Sequence, residues 1–487
     1  MRKNRSKYII VLILLLSAGT ALQAQISQTM YFLGLPQANM ANPAFRPTNK
    51  TYIGLPVLSN TYLSINNNMF RLNELLQPMP GTDSTMTILH PDYDLDAFLN
   101  SLGNTGKINM DASVQILGLG FTVSNDWYID LSLSQKVSTS AYIPRDLFTL
   151  ILQGNESFMG STIDLSGLGF KAMQYMESSV GISKNINDKL RVGGRLKVLF
   201  GGVGAAIDNQ RLDIDVGNDF SHTIHSDLVL NVSGPLDFYT NDDNMIDSVE
   251  FRDEVNPFDL ILNSKNTGLA FDFGAEYQLL PNLSLSASIV DLGFIGWKSD
   301  VFNLQATNNF SFDAFDLTDV ISGEQEFDDM LDNLGDSLKN SFQLTDGNHN
   351  FNMGLPTKLF LGAQYRPIDL VGVGILSRTT FNQGRISQAL SLSGTLYAGD
   401  AFSSSLTYTM ANRSYANLGF GFAVKLGPVQ WYTVVDQIPL SWVSFTESGN
   451  NSFALPNRLD YMSVRFGLNL VFGKLKTKAS DKPMLLE

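Results

Sequence analysis

The chain has 487 residues, no cysteine, 44% apolar residues, a mean hydropathy of +0.01 and a formal charge of −14. Without cysteine it is neither a lipid-anchored lipoprotein nor a disulfide-stapled fold, and so acidic a chain is a poor partner for nucleic acid. Its length alone suits about three soluble domains, whereas hydrophobicity spread thinly by alternation suits one large transmembrane barrel.

Arg2, Lys3, Arg5 and Lys7 precede an apolar run over residues 8–16 and then small residues. This is the pattern of a secretory signal peptide, too short to span a bilayer comfortably as a helix. We place it at residues 1–24, with cleavage after Ala24; cleavage after Ala21 is the alternative. Loss of its four basic residues takes the charge to about −18. Export followed by strands points to the cell outer membrane.

Residues 25–49 are irregular and rich in turn formers, with Gly34-Leu35-Pro36 and then Asn42-Pro43-Ala44-Phe45-Arg46-Pro47. We read them as a plug entering a barrel lumen. Pro43 fixes its own φ and biases Asn42 away from the helical region. Asn42 can then hold the turn through neighbouring backbone. Phe45 offers an apolar anchor, and Arg46 a partner for lumen carboxylates such as Asp272 or Glu276.

Residues 50–472 read as an antiparallel, up-and-down, all-β transmembrane barrel. A first strand lies near residues 50–65. Others start at Met110, Trp127, Tyr175, Leu190, Thr267, Leu283, Thr357, Leu370, Arg385, Ala401, Tyr415, Val429 and Leu459, about fourteen in all. Alternate residues fall on chemically different faces. Over residues 190–200, Leu190, Val192, Leu196, Val198 and Phe200 oppose Arg191, Arg195 and Lys197. Over residues 267–280, Leu269, Phe271, Phe273, Ala275, Tyr277 and Leu279 oppose Asp272, Glu276 and Gln278. Over residues 415–426, Leu418, Phe420, Phe422 and Val424 oppose Gly419, Gly421, Ala423 and Lys425. Over residues 459–472, Met462, Val464, Phe466, Leu468, Leu470 and Phe472 oppose Tyr461, Ser463, Arg465, Gly467, Asn469 and Val471. Charges on the second face are costly in lipid and at home in a polar lumen, so Arg191, Arg195, Lys197, Asp272, Glu276 and Arg465 are assigned to the lumen.

Six tight turns pair these strands: Ser124-Asn125-Asp126, Asn187-Asp188-Lys189, Pro281-Asn282, Pro367-Ile368-Asp369, Ala398-Gly399-Asp400 and Gly427-Pro428. All fall on one side, and four long connections (66–109, 143–174, 208–266 and 296–356) fall on the other. Short periplasmic turns, long extracellular loops and an even strand count belong together in bacterial barrels. The basic tail, residues 473–487, then lies in the periplasm. Residues 208–232 are open between an extracellular hairpin extension and a further strand pair.

Trp127, Tyr128, Trp431 and Tyr432 begin strands after tight turns, Tyr365 and Tyr397 end strands before them, and Trp297 sits at the opposite end. They read as two interfacial girdles. Helical spacing of apolar residues between Phe315 and Phe342, and Pro144 followed by residues 146–152, suggest short helices capping the rim. The acidic stretches 237–259 and 300–346 read as solvated extracellular loops near lipopolysaccharide phosphates. Asn241-Asp242-Asp243-Asn244 with Asp247 lacks the glycine of a calcium loop. The four histidines (His90, His222, His225 and His349) form no recognisable Ser–His or metal arrangement, so neither an enzyme nor a metal or cofactor protein is expected.

Asn42-Pro43-Ala44 ahead of the first strand resembles the signature of the N-terminal hatch in the long-chain fatty-acid transporter (FadL-like) superfamily, whose barrels have fourteen strands. PorV, the accessory barrel of type IX secretion, is similar. The Asn-Pro-Ala-Phe-Arg-Pro entry, Gly193-Gly194-Arg195-Leu196-Lys197 and Gly354-Leu355-Pro356-Thr357-Lys358-Leu359 together resemble an uncharacterised outer-membrane barrel family across nearly the whole mature chain. The Gly-rich run usual before the hatch signature is here Leu35-Pro36-Gln37-Ala38. The resemblance implies hydrophobic cargo leaving sideways where the third strand kinks inward, which by order falls at Ser138, Thr139 and Ser140. It implies a passive channel for hydrophobic or amphipathic small molecules, expecting a continuous apolar tunnel. The alternative is a non-transporting scaffold of a secretion or assembly complex, expecting a filled lumen. Expected partners are outer-membrane lipid, lipopolysaccharide and the barrel assembly machinery during insertion, with a hydrophobic ligand or a secretion complex beside them.

Overall fold

A computed structural model describes residues 28–69, 71–79, 85–88, 90–124, 126–154, 156–218, 222–240, 246–252, 261–306, 342–344, 349–411, 414–438, 442–446, 452–456 and 461–474. The signal peptide, the tail beyond Lys474, the acidic set at 241–244 and most of the expected helix within 315–342 lie outside the described residues.

Fourteen strands form the barrel. They are β1 (Asn49–Gly54, resuming as Thr61–Asn67), β2 (Thr105–Ser124), β3 (Trp127–Pro144), β4 (Gly169–Asn185), β5 (Leu190–Val216), β6 (Thr267–Leu280) and β7 (Leu283–Trp297). They continue as β8 (Phe351–Gly354 and Thr357–Ile368), β9 (Val371–Asn382), β10 (Arg385–Ala398), β11 (Phe402–Ala411), β12 (Ser414–Leu426), β13 (Val429–Asp436) and β14 (Tyr461–Lys474). Each pairs antiparallel with its sequence neighbours, and β14 pairs with both β13 and β1, closing the sheet. Closure leaves no barrel edge strand, which a membrane-embedded sheet requires. No helix among the described residues is long and apolar enough to cross a membrane. Of the strands that follow tight turns, four start where expected, at Trp127, Leu190, Leu283 and Val429, and two start one residue later, at Val371 and Phe402.

The alternation sets the two faces. Leu269, Phe271, Phe273, Leu292, Phe294, Leu361, Ile375, Leu392, Leu406, Phe420 and Phe466 all point outward and are exposed, Leu392 by 55%. An apolar belt of this extent far exceeds what a water-soluble surface carries, and it is the lipid face. The residues between them point inward, among them Arg195, Lys197, Asp272 and Arg465, all buried.

Strict alternation corrects the girdle assignment. Trp127, Tyr365 and Trp431 are exposed outside, but Tyr128 and Tyr432 are their immediate neighbours and therefore turn inward, where both are fully buried. Tyr397 also faces in, its hydroxyl donating to the Phe32 carbonyl at 2.6 Å. Trp297 is no interfacial residue. It is 0% exposed and crosses to β5, where Cβ atoms at Gly201 or Gly204 would overlap its ring.

Two features interrupt the wall. Residues 55–60 are extruded from the middle of β1, with Val57 and Leu58 exposed on the outer face and Ser59 and Asn60 buried on the inner one. The exposed limb is Leu-Pro-Val-Leu. Its amides are satisfied, Leu55 donating to the Leu468 carbonyl, Val57 to Gln115 and Leu58 to Leu55. An irregular segment can therefore sit on the lipid side without orphaned N–H groups. The second interruption runs across β6, β7 and β8. There Asp291 has φ of 59° at a bulge, and β8 breaks at residues 355–356.

The rim opposite the tight turns carries the long connections. β5 overruns β6, and the strand His222–Ser233 returns along it from Gly204 outward, flanked by Val301–Ala306. The uncertain stretch is thus a hairpin extension of the barrel sheet. The helix Arg145–Gln153 begins after Pro144 as expected and packs beside the helix Leu95–Ser101, with Leu152, Phe98, Leu99, Tyr93 and Met69 forming an apolar cluster.

Candidate functional site: the plugged lumen

The lumen is occupied by the chain itself. Residues 28–47 fold into two short 3-10 turns, Thr29–Phe32 and Pro36–Met40, and Pro36 opens the second with its preset φ. Among the described residues, this segment's backbone–backbone bonds close within the segment and none joins the barrel ladder. The wall holds it with side chains instead. Asp436 accepts from the Gln28 amide at 3.1 Å, from the Thr29 amide at 3.2 Å and from the Thr29 hydroxyl. Gln37 and Asn469 exchange amide bonds of 2.8 and 3.1 Å. Ser288 and Ser403 donate to the Ala41 and Leu33 carbonyls, and Arg195 to that of Asn39.

Asn42 closes the turn foreseen for it. Its side-chain oxygen accepts the Ala44 amide at 2.9 Å, and its carbonyl accepts the Phe45 amide at 2.9 Å. Its amide nitrogen reaches the Ala275 and Ala287 carbonyls of β6 and β7, at 3.1 and 3.4 Å. Asn42, Pro43 and Ala44 are buried, and Phe45 packs edge-on against Tyr31 at 4.8 Å. Arg46 differs from expectation. Its guanidinium bonds the hydroxyl and carbonyl of Ser183 and the Asp126 carbonyl at the tight-turn rim. Asp272 is engaged by Arg195 and Lys197, and Glu276 by Arg191 at 2.8 Å. Burial and the nearby Arg191 hold Arg46 down to about 10, so it stays charged at neutral pH.

Beyond the plug lies a band of buried ion pairs. Arg195 meets Asp130 at 2.8 Å and Asp272 at 3.4 Å; Lys197 meets Asp272 at 2.7 Å and Asp291 at 2.5 Å. Lys358 adds a 2.8 Å bond to Asp291, and Lys136 pairs with Glu177 at 2.6 Å. Four cations and four carboxylates thus neutralise one another, which is what permits their burial. A cavity of about 90 Å³ adjoins this band, with Asn39 and Met40 of the plug among its lining residues.

The far mouth is bridged as well. The β9–β10 hairpin turns at Gln383 and Gly384, both with positive φ. Its tip reaches strands on the opposite side of the barrel. Asn382 donates to Ser140 at 2.8 Å, Arg385 to the Gly167 carbonyl at 2.7 Å, and Lys107 of β2 to Ser387 at 2.5 Å. The Tyr142 ring lies under the Arg385 guanidinium at 4.4 Å. At Ser138, Thr139 and Ser140, where a sideways opening is expected, the wall is closed in this structure. All three pair with β2 on one side and β4 on the other, so backbone bonding is unbroken there, and Ser138 and Ser140 point into the lumen.

The six lumen charges named from alternation do face inward, at three separate places. Arg195, Lys197 and Asp272 share the buried band, the Arg191–Glu276 pair is half-buried, and Arg465 stands apart over the Tyr62 ring at 3.9 Å. Asp130, Lys136, Glu177, Asp291, Lys358 and Asp436 were not singled out. Asp130 and Lys136 were legible, since they alternate inward with Ser132, Ser134 and Ser138. Asp291 was not, because its inward aim depends on a bulge.

A closed fourteen-stranded sheet with an apolar outer belt, a polar lumen and an internal plug defines an outer-membrane β-barrel of the plugged type. The chain belongs to the family of unknown function DUF5723, whose profile matches residues 43–436. No curated protein matches it. Among solved structures it is similar to the toluene transporter TbuX of Ralstonia pickettii, at 10% identity and a TM-score of 0.42 over 92% of this chain and 98% of that one. It is also similar to a Pseudomonas aeruginosa FadL homologue, at 12% identity and a TM-score of 0.39 over 93% and 99% of the two chains. The Pseudomonas putida toluene transporter TodX gives 9% identity and a TM-score of 0.35 over 93% and 95%.

Proposed function

We propose that this chain is a passive channel for small amphipathic molecules, shut in the conformation described. The observation that carries this reading is the plug. It is held by side-chain bonds and packing, and among the described residues no strand pairing ties it to the wall, so it can shift without breaking the sheet that keeps the barrel inserted. The polar, ion-paired lining of the cavity favours amphipathic cargo over hydrocarbon. Removing residues 25–49 should leave the barrel inserted and raise its leak to small solutes in liposomes. A truncated barrel that leaks no more than the full chain sinks the channel.

One observation favours a second reading, a non-transporting scaffold of a secretion or assembly complex. The same plug fills the lumen and bonds strands around much of the barrel. Purification from native membranes in mild detergent separates the two. A scaffold brings stoichiometric partner proteins with it, and a channel comes alone with lipid and lipopolysaccharide. A tag in the connection between β7 and β8 should be reachable on intact cells, and one after Lys474 should not.

A further inference from the structure

Around the cavity adjoining the plug, two charged side chains lack the partners that all the others have. Arg465 of β14 is 2% exposed, and no carboxylate among the described residues pairs with it. Its guanidinium is held by Asn60 and by the face of Tyr62, yet its Nε is buried without a hydrogen-bond partner. Asp111 of β2 lines the same cavity. One of its oxygens accepts from Ser138 at 2.6 Å, and the other is buried with no partner. Lys107 and Lys171 lie beyond Asp111 toward the mouth, and their ammonium groups are engaged by Ser387 and by the Gly354 carbonyl.

Register fixes how the two groups relate. Arg465 and Ser113 both oppose Tyr62, and Asp111 lies two residues further along β2. Two strand spacings and two residues put the two Cα atoms about 12 Å apart. Both side chains face inward, so a small molecule can lie between their tips. The cavity of about 90 Å³ sets its size. At roughly 10–15 Å³ for each water-sized group, that is room for about six to nine non-hydrogen atoms.

We infer that this cavity binds a small carboxylic acid bearing a second donor group, a hydroxy or amino acid. Its carboxylate takes the free edge of the Arg465 guanidinium, the planar fork that suits a carboxylate. Its hydroxyl or ammonium donates to the unpartnered oxygen of Asp111. Long-chain amphiphiles exceed the space. The site stands whether or not the barrel conducts.

Calorimetric titration of the full chain in detergent tests it, with L-serine, L-lactate and propionate as probes. Saturable binding of serine and lactate to the unaltered protein is expected, with propionate weaker. Arg465→Gln should weaken all three by ten-fold or more. Asp111→Asn should weaken serine and lactate and leave propionate unchanged. Each variant is first checked for the heat-modifiable gel mobility of a folded barrel. Should Arg465→Gln not fold, the Asp111→Asn pattern and the unaltered protein still decide. Failure of serine and lactate to bind the unaltered protein overturns the site, as does binding indifferent to both substitutions. Binding without any liposome flux would keep the site and remove the channel; flux without binding would do the reverse.

Discussion

Gly193 of β5 stands directly opposite Gly274 of β6, and the Asn42–Pro43 turn of the plug lies against that pair. A Cβ on Gly193 would overlap the Pro43 carbonyl, and one on Gly274 the Asn42 side chain. The two glycines are a notch in the wall, cut to let plug backbone approach sheet backbone. Asn42 then spends its side-chain amide on carbonyls of β6 and β7. The Gly-Gly-Arg-Leu-Lys stretch and the Asn-Pro-Ala signature are therefore two halves of one contact.

The notch makes a sharp prediction. Gly193→Ala should dislodge the plug, because the clash is with backbone, which cannot rotate away; overpacking of this kind costs about 1–3 kcal/mol. Gly194→Ala should be tolerated, since the nearest atom to its Cβ would be the Asp272 carbonyl at 3.8 Å. Liposome leak and proteolysis of the N-terminal segment should rise for Gly193→Ala alone. Equal behaviour of the two variants removes the notch.

Much of this was legible in the sequence, for a physical reason. Lipid outside and water or charge inside impose a two-residue period on every strand, so Phe271 and Asp272 declare their faces by chemistry alone. Turn residues marked the strand ends for the same reason that they form turns. What could not be read depends on local breaks in that period. The bulge at Asp291 aims a carboxylate inward, and the excursion at residues 55–60 adds an apolar limb outside and two polar residues inside. The girdle error came from counting Tyr128 and Tyr432 with their tryptophan neighbours. The mouth bridge between Asn382 and Ser140 joins residues 242 apart, and no local pattern announces such a pairing.

Asp436 is the anchor for the plug's first turn. Besides the Gln28 and Thr29 donors it accepts the Ser463 hydroxyl at 2.8 Å. Asp436→Ala would strand several buried donors, each at about 1–3 kcal/mol. Hydrogen exchange should then quicken at residues 28–33, while the Asn42 turn, bonded independently to β6 and β7, stays protected. Uniform quickening across residues 28–47 would mean that the plug moves as one body.

Lys197 holds two carboxylates, Asp272 and Asp291, inside the band of ion pairs. Lys197→Met removes a buried cation and leaves excess negative charge, a loss of about 3–5 kcal/mol. Arg211→Ala, which breaks the exposed Arg211–Asp213 pair on the far extension, should leave stability close to that of the unaltered chain, because solvent screens an exposed pair. Urea titrations of the barrel folded into vesicles measure both. Comparable losses would show that the band is hydrated enough to behave as surface.

The outer face sets the last prediction. Leu392 lies midway along β10 and points into lipid, while its neighbour Ser391 points inward and shares a 2.8 Å bond with Thr409. Arginine in place of Leu392 must bring a charge into the apolar belt, at about 2–4 kcal/mol near the midplane. Phe472→Asp sits close to the tight-turn rim, where depth is small and a carboxylate costs less, so a loss of about 0–1 kcal/mol is expected in vesicles. Ser391→Ala removes its hydroxyl bonds to Thr409 and to Gln28 of the plug, about 0.5–1.5 kcal/mol each. Folding titrations in lipid vesicles should order the three with Leu392→Arg the worst. In detergent micelles, which deform around a charge, the gap should narrow. A Leu392→Arg barrel as stable in vesicles as the unaltered one would place that face against protein or water, and the membrane belt would have to be redrawn.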